Sequence, residues 1–433
     1  MLLILAAISG RAAADDGRSY LLSEPVDYTD VIDAFDDGDP LDVNVDLSFT
    51  RSENSSSIAR EAPNSDDRVA GRSQPIADSE EIENALQLEV DVGLFKDLML
   101  YARLPLVLSD TRRLQLPSSA RCSSSACGDQ RNKIVDALTP AGPDASPLFD
   151  LASGSGYHSA TRSGIPAIDL GAAWGVSNQY RTPYMPTWVV SAEARISVGD
   201  VMTPCTAGMS CRDGISRGTA RFQFESRWSY RLRFVEPYFG VSFAFERATG
   251  ASDRFAPHGD GQGYLSTTPP SRFESTLGAS LIAWEDRGRF QRFAIDLRGR
   301  AAYVSSGRDY SPLFDALGTS QNPNLSTPYS TPKGAAVSFN GLSQVDSHAR
   351  IGVEIAAAMQ AARYVRFRLG VSFWHESQHL LTDAAPCPSG STVLCRPDQI
   401  NALYRPVIDL PGQRFLLDSD LTFDLFAYAT GQF

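Results

Sequence analysis

Beyond residue 40 the chain is dominated by apolar residues at every second position. The first run is Leu41, Val43, Val45, Leu47 and Phe49. Leu86, Leu88, Val90, Val92 and Leu94 form the second, and a tight link at Phe95–Asp97 leads into Leu98, Leu100, Ala102, Leu104 and Leu106. Ile168 to Val176 and Trp188 to Val198 follow. Then come three hairpins: Ala220 to Trp228 with Val235 to Phe245, Leu277 to Ala283 with Phe293 to Tyr303, and Ala349 to Ile355 with Val365 to Phe373. Leu421 to Phe433 closes the series. Period two is the spacing of a strand with one apolar face, because successive side chains point to opposite sides of a sheet. The pattern predicts about twelve antiparallel strands, each close to the roughly 9–11 residues a tilted strand needs to cross a bilayer.

Alternation alone does not say which face is inside, since a soluble sandwich shows the same period. The links decide it. Short ones (95–97, 178–187, 231–234, 285–289 and 360–364) alternate with long polar ones, roughly 52–82, 109–165, 200–217, 247–271, 305–343 and 377–413. All long loops therefore fall at one end and all short turns at the other. The expected fold is all-β: a transmembrane antiparallel up-and-down β-barrel over residues 41–433, with long extracellular loops and short periplasmic turns. The apolar face then meets outer-membrane lipid.

Composition sharpens this in two ways. The 433 residues could hold two or three soluble domains or one large β-structure, and a formal net charge of -12 argues against nucleic acid as a partner. No stretch beyond the extreme N-terminus approaches the roughly 18 apolar residues of a helical span. The charges fall on the parity opposite the apolar residues. They include Asp42, Asp46, Glu89, Asp91, Arg103, Arg195, Arg227, Arg298, Arg300, Arg350, Arg366, Arg368, Asp418, Asp420 and Asp424. A dry core cannot bury so many charges, whereas a wet lumen can, so these residues are expected to line the lumen. Arginines concentrate on the ninth to eleventh strands, and acids on the twelfth, first and second. Two readings stay open: a salt-bridge ladder filling a narrow barrel, and an ion-lined path whose arginine wall attracts anionic solutes locally.

The closing strand Leu421–Phe433 with its terminal aromatic, and hairpins such as Val92 to Leu100, resemble Gram-negative outer-membrane β-barrel proteins, porins and channel-type transporters in particular. The resemblance is architectural and covers residues 41–433. It implies passage of small polar solutes through the lumen, and recognition of Phe433 by the barrel-insertion machinery. Gly431 stands where that family often has an aromatic.

Residues 375–379, His-Glu-Ser-Gln-His, match the zincin pattern in letters. That chemistry needs a helix, so that histidines at i and i+4 converge on one metal; on a strand they stand roughly 13 Å apart. His375-x-Ser377 is also similar to the pair of outer-membrane acyl hydrolases such as phospholipase A. On a strand i and i+2 share a face, which would set a base beside a nucleophile. Gln378-His379 departs from that family's Asn-Gly, so His375 and Ser377 stand as an alternative to polar residues at an interfacial girdle. A third reading is a surface barrel whose loops bind partners. No cofactor and no metal is expected.

The N-terminus reads as an export signal over residues 1–14: Leu2 to Ile8 is apolar, and Ala12-Ala13-Ala14 offers a small-residue cleavage site. The run lacks the usual basic residue before it, which leaves open a start upstream of Met1. Residues 15–40 form an acidic segment without EF-hand spacing, expected in the periplasm or folded into the lumen as a plug. Six cysteines fall in three close pairs within the long loops, Cys122 with Cys127, Cys205 with Cys211, and Cys387 with Cys395. An even count in local pairs fits disulfides formed in an oxidising compartment.

Overall fold

The computed structural model describes residues 25–32, 42–61, 73–140, 146–151, 156–209, 214–249, 255, 266–325, 339–383, 407–409 and 412–433. The expected export signal, Cys211, Cys387 and Cys395 lie outside them. Twelve long strands form the barrel: β1 (Val43–Glu61), β2 (Ser73–Phe95), β3 (Leu98–Gln115), β4 (Ala167–Ser177), β5 (Thr187–Ser197), β6 (Thr219–Ser229), β7 (Val235–Ala248), β8 (Arg272–Asp286), β9 (Gln291–Val304), β10 (His348–Ala362), β11 (Val365–Glu376) and β12 (Phe415–Gln432). Each pairs antiparallel with the next, and β1 also pairs with β12 from Asn44↔Gln432 to Arg60↔Phe415. The sheet thus closes on itself and leaves no unpaired edge in lipid.

The apolar parity faces outward, as the loop asymmetry predicts. Leu88, Leu277, Ile351 and Leu369 are among the large apolar side chains left exposed around the wall. So many apolar residues in one band suit hydrocarbon and not water. Trp174, Trp188, Trp228 and Trp284 stand on strand ends beside the short turns. Trp188 and Trp228 stack there at 6.3 Å, and the Trp188 indole donates to Ser226 Oγ. An aromatic belt at one rim is what an interface between headgroups and hydrocarbon favours. The chain is therefore built as an outer-membrane β-barrel.

The short turns are tight enough to force left-handed backbone at Asp97, Arg233 and Phe290. Asp97 tolerates this conformation well, and its carbonyl accepts the Gly175 amide from the neighbouring hairpin. At the other end the strands run on beyond the bilayer. β1 and β2 stay paired up to Glu61↔Ser73, so most of the expected 52–82 loop is hairpin. Polar residues on both faces, from Arg51 to Ser57, hid this extension from the periodicity. The expected 109–165 loop contains the top of β3, helix α1 (Ser125–Leu138), and two short pieces, Tyr157–His158 and Arg162–Gly164, that pair with β3.

The outer end of the barrel is partly filled by protein. Ile58, Ala77, Leu114, Phe415 and Leu417 from the strand tops pack with Ile134 and Leu138 of α1 and with Leu148, Leu313, Leu317 and Ile408 from the loops. A bulge permits this: Ser57 pairs with Ser419 but Ile58 with Leu417, so Asp418 is the extra residue on β12. Beyond it the parity of β12 reverses. Asp418, expected in the lumen, instead points outward, where Gln378 donates to it at 2.9 Å. Within this cap Arg162 and Asp315 form a fully buried bidentate pair, and Asp315 also accepts the Cys205 amide.

Candidate functional site

Inside the barrel, residues 25–32 lie against the wall near the short-turn end. The Val26 amide donates to Glu236 Oε1 at 3.1 Å, Thr29 and Ser229 share a hydroxyl contact at 2.7 Å, and Arg227 donates to the Tyr28 carbonyl at 2.9 Å. Asp27 pairs with Arg366 and Arg368 at 3.1 and 3.3 Å, and Asp30 with Arg366 at 3.2 Å. The acidic composition of the segment is thus matched to arginines from the eleventh strand. Room for it comes from glycine: a β-carbon on Gly240 would overlap the Tyr28 phenol.

Above this segment lies a chamber of about 480 Å³, bounded by Asp27, Tyr28, Arg103, Glu193, Arg298 and Asp424 among others. Its arginines are held in ion pairs. Arg103 bridges Glu89 and Glu193 at 2.9 and 2.5 Å. Arg298 contacts Asp296 and Glu354 at 3.2 and 3.5 Å, Arg300 meets Glu354 at 2.9 Å, and Arg368 spans Asp296 and Glu354 at 2.6 and 2.7 Å. The expected arginine wall is therefore a neutralised lattice. The opposite corner differs. Asp424 accepts from Ser52 and Ser372, Asp46 accepts the Thr430 hydroxyl, and Asp91 Oδ1 is buried without a hydrogen-bond partner. Among the described residues none of these three carboxylates has an arginine partner. Among the described residues that line the chamber, nine carboxylates face six arginines.

A second chamber of about 460 Å³ lies nearer the outer end, with Arg195, Arg217, Arg350, Glu376, His348 and His379 in its lining. Arg195 holds Asp169 bidentately at 2.7 and 2.8 Å, and Arg350 meets Glu376 at 2.8 Å. Arg217 reaches Asp309, in a short ladder above the barrel, at 2.6 Å. Burial pushes the Asp309 carboxyl up, against the pull of that guanidinium.

The structure thus brings Asp46, Glu89, Asp91, Arg103, Arg227, Arg298, Arg300, Arg366, Arg368 and Asp424 to the inner chamber, and Arg195, Arg350 and Asp420 to the outer one. Asp42 stands at the foot of β1, its carbonyl accepting the Gly93 amide. His375 and Ser377 are not brought together. The His375 ring lies on the outward face with Nδ1 at 2.8 Å from the Asp420 carbonyl, while the Ser377 hydroxyl accepts the Ala349 amide at 3.0 Å. Tyr28, Tyr101 and Trp374 also line the inner chamber. Parity could have located Trp374, an aromatic on the charged face of β11. Cys122 and Cys127 form a disulfide with Cα atoms 5.7 Å apart, and Cys205 is also disulfide-bonded.

No family model and no curated protein matches the chain. Solved structures similar to it include an outer membrane channel from Pseudomonas putida F1, at 9% identity and a TM-score of 0.39 over 95% of this chain and 99% of that one. The outer membrane protease OmpT from Escherichia coli is similar at 7% identity and 0.32, over 90% and 97%. A Pseudomonas aeruginosa FadL homologue is similar at 6% identity and 0.31, over 90% and 89%.

Proposed function

We propose that this barrel is an outer-membrane channel for small polar solutes, cation-preferring, with its inner end obstructed by residues 25–32 acting as a plug. The observation that carries the reading is the polar chamber of about 480 Å³ left open beside the ion-pair lattice. A ladder that merely filled the barrel would leave no such space, and the volume is in the range of small-molecule sites. The excess of carboxylates over arginines in the chamber favours cations, since charges inside a protein wall are screened less than surface charges. This replaces the anion-attracting wall expected from the arginine positions, because those arginines already have carboxylate partners.

Phe433 fits the same reading at the barrel seam. Its amide and carbonyl pair with the Val43 backbone at 2.9 and 3.0 Å, and its exposed ring is offered at the short-turn rim, where insertion machinery would engage the last strand. The channel reading is tested by reversal potentials in planar bilayers under a KCl gradient. A potential of the sign for K⁺ preference supports it; anion preference or absence of conductance, even after removal of the plug, contradicts it.

A further inference from the structure

We propose that His348, Glu376 and His379 form a binding site for a divalent transition-metal ion of the zinc class at the wall of the outer chamber. The three residues come from different segments. His348 opens β10, Glu376 ends β11, and His379 lies in a two-residue strand, His379–Leu380, that pairs with β12. Each offers a ligand atom, and these atoms all lie within 4.8 Å of one another. Ligands about 2.0–2.2 Å from one ion stand at most about 4.4 Å apart, so the side chains must draw together slightly to complete the site.

The imidazoles are set up as metal ligands are. His348 Nδ1 lies 3.0 Å from the Asp346 carbonyl, and His379 Nδ1 lies 2.8 Å from the Ser377 carbonyl. A carbonyl only accepts, so both Nδ1 atoms carry a proton, and Nε2 of each ring is the atom available to a metal. The rings stack at 3.9 Å between centroids with planes 12° apart, so one ring must turn about its side-chain bonds to bring both in-plane lone pairs onto one ion. Their backbones are pinned together by Asp346 N–H to the Leu380 carbonyl, Ser377 N–H to the Ala349 carbonyl, and Ala349 N–H to Ser377 Oγ. Ser377 thus has a positioning role here.

The surrounding charge calls for a cation. His348 Nε2 faces Glu376 Oε2 at 3.6 Å. Glu376 is also paired directly with Asp420 across the β11–β12 ladder, and Asp420, 95% buried, keeps Oδ1 without a hydrogen-bond partner. Like charges directly opposed on a sheet repel, and among the described residues Arg350 is the arginine paired with Glu376, through Oε1. Two imidazoles and a carboxylate suit zinc, cobalt or nickel over calcium or magnesium, and three protein ligands leave a position open toward the chamber. The zincin-like letters of 375–379 are not the site as a unit: His375 faces outward, and His348 from another strand takes its place. No spacing rule links residue 348 to residue 379, so the sequence alone does not bring these residues together.

The test uses the barrel purified in detergent without an oligohistidine tag, stripped with chelator, and titrated with Zn²⁺ against a chromophoric competitor. One equivalent is expected to bind, with Ca²⁺ failing to displace it. His348→Ala, His379→Ala and Glu376→Gln each weaken binding at least tenfold in variants that keep heat-modifiable migration, while His375→Ala leaves it unchanged. No zinc above the level bound by a variant carrying His348→Ala, Glu376→Gln and His379→Ala together, or equal losses from His375→Ala and His379→Ala, overturns the proposal. Pulsed EPR of the Cu²⁺-loaded wild type needs no variant: two coordinated imidazoles support the site, and one or none overturns it.

Discussion

Tyr28 fills the volume that a β-carbon on Gly240 would occupy, and its ring lies on Tyr238 at 4.8 Å between centroids. Tyr238 in turn lies over Gly278, and Tyr101 over Gly171. Each tyrosine lies flat over a strand position without a side chain, so an aromatic ring fits inside the barrel without closing it. Gly240→Ala should therefore push residues 25–32 off the wall while leaving the barrel paired. Hydrogen exchange should report faster exchange of the Val26 and Thr29 amides, which are bonded to Glu236 and to the Val26 carbonyl, with strand amides unchanged. Unchanged protection at both amides would contradict the packing role given to Gly240.

The outer cap hangs on one buried pair. Asp315→Ala takes from the fully buried Arg162 guanidinium the carboxylate that holds it bidentately, which costs about 3–5 kcal/mol. The cost should fall on the cap alone, because the ladder below is separate. Trypsin should then cut the loops of folded barrels in outer-membrane vesicles much faster than in wild type, while the strands stay resistant. Equal cleavage rates would show that the pair does not hold the cap.

On the channel reading proposed above, charge in the inner chamber sets ion preference. Replacing Asp46, Asp91 and Asp424 together by asparagine removes three carboxylates without arginine partners and should move the reversal potential toward zero. Arg298→Ala should act differently, raising cation preference but lowering thermal stability, because Asp296 and Glu354 lose a counter-charge. An unchanged reversal potential in the folded triple variant would contradict this, and loss of the folded barrel would mean these carboxylates are structural.

Orientation is testable in cells. Ser123 and Met209 lie in long connections at the capped end, so epitopes inserted there should bind antibody on intact cells. The same is expected of Gly390, which lies outside the described residues. Detection only after permeabilisation would reverse the assigned topology.

The barrel was legible from sequence because lipid imposes one requirement on every strand: an apolar side chain at alternate positions, as in Leu86 to Leu94 and Val365 to Phe373. Where lipid stops, so does the signal. The upper halves of β1 and β2 carry polar residues on both faces, and the bulge at Asp418 flips a side chain without changing the local letters. The lumen charges were readable by parity, but their pairing was not. Arg298 meets Glu354 through strand register, and Arg366 meets Asp27 across the whole length of the chain. Helix α1 was hidden in loop-like composition; Cys127, Ile134, Ala137 and Leu138, buried at helical spacing, mark its inner face. Tyr28 and Gly240 belong to each other only once the segment is inside the barrel.

The central claim is that the lumen is a path and residues 25–32 obstruct it. Single-channel recording in planar bilayers, comparing the chain with and without residues 15–32, tests this most directly. The account predicts small or rare openings for the longer chain and a conductance several-fold higher, still cation-preferring, for the shorter one. Equal conductance in the two, or no openings in either from barrels shown to be folded, would contradict it.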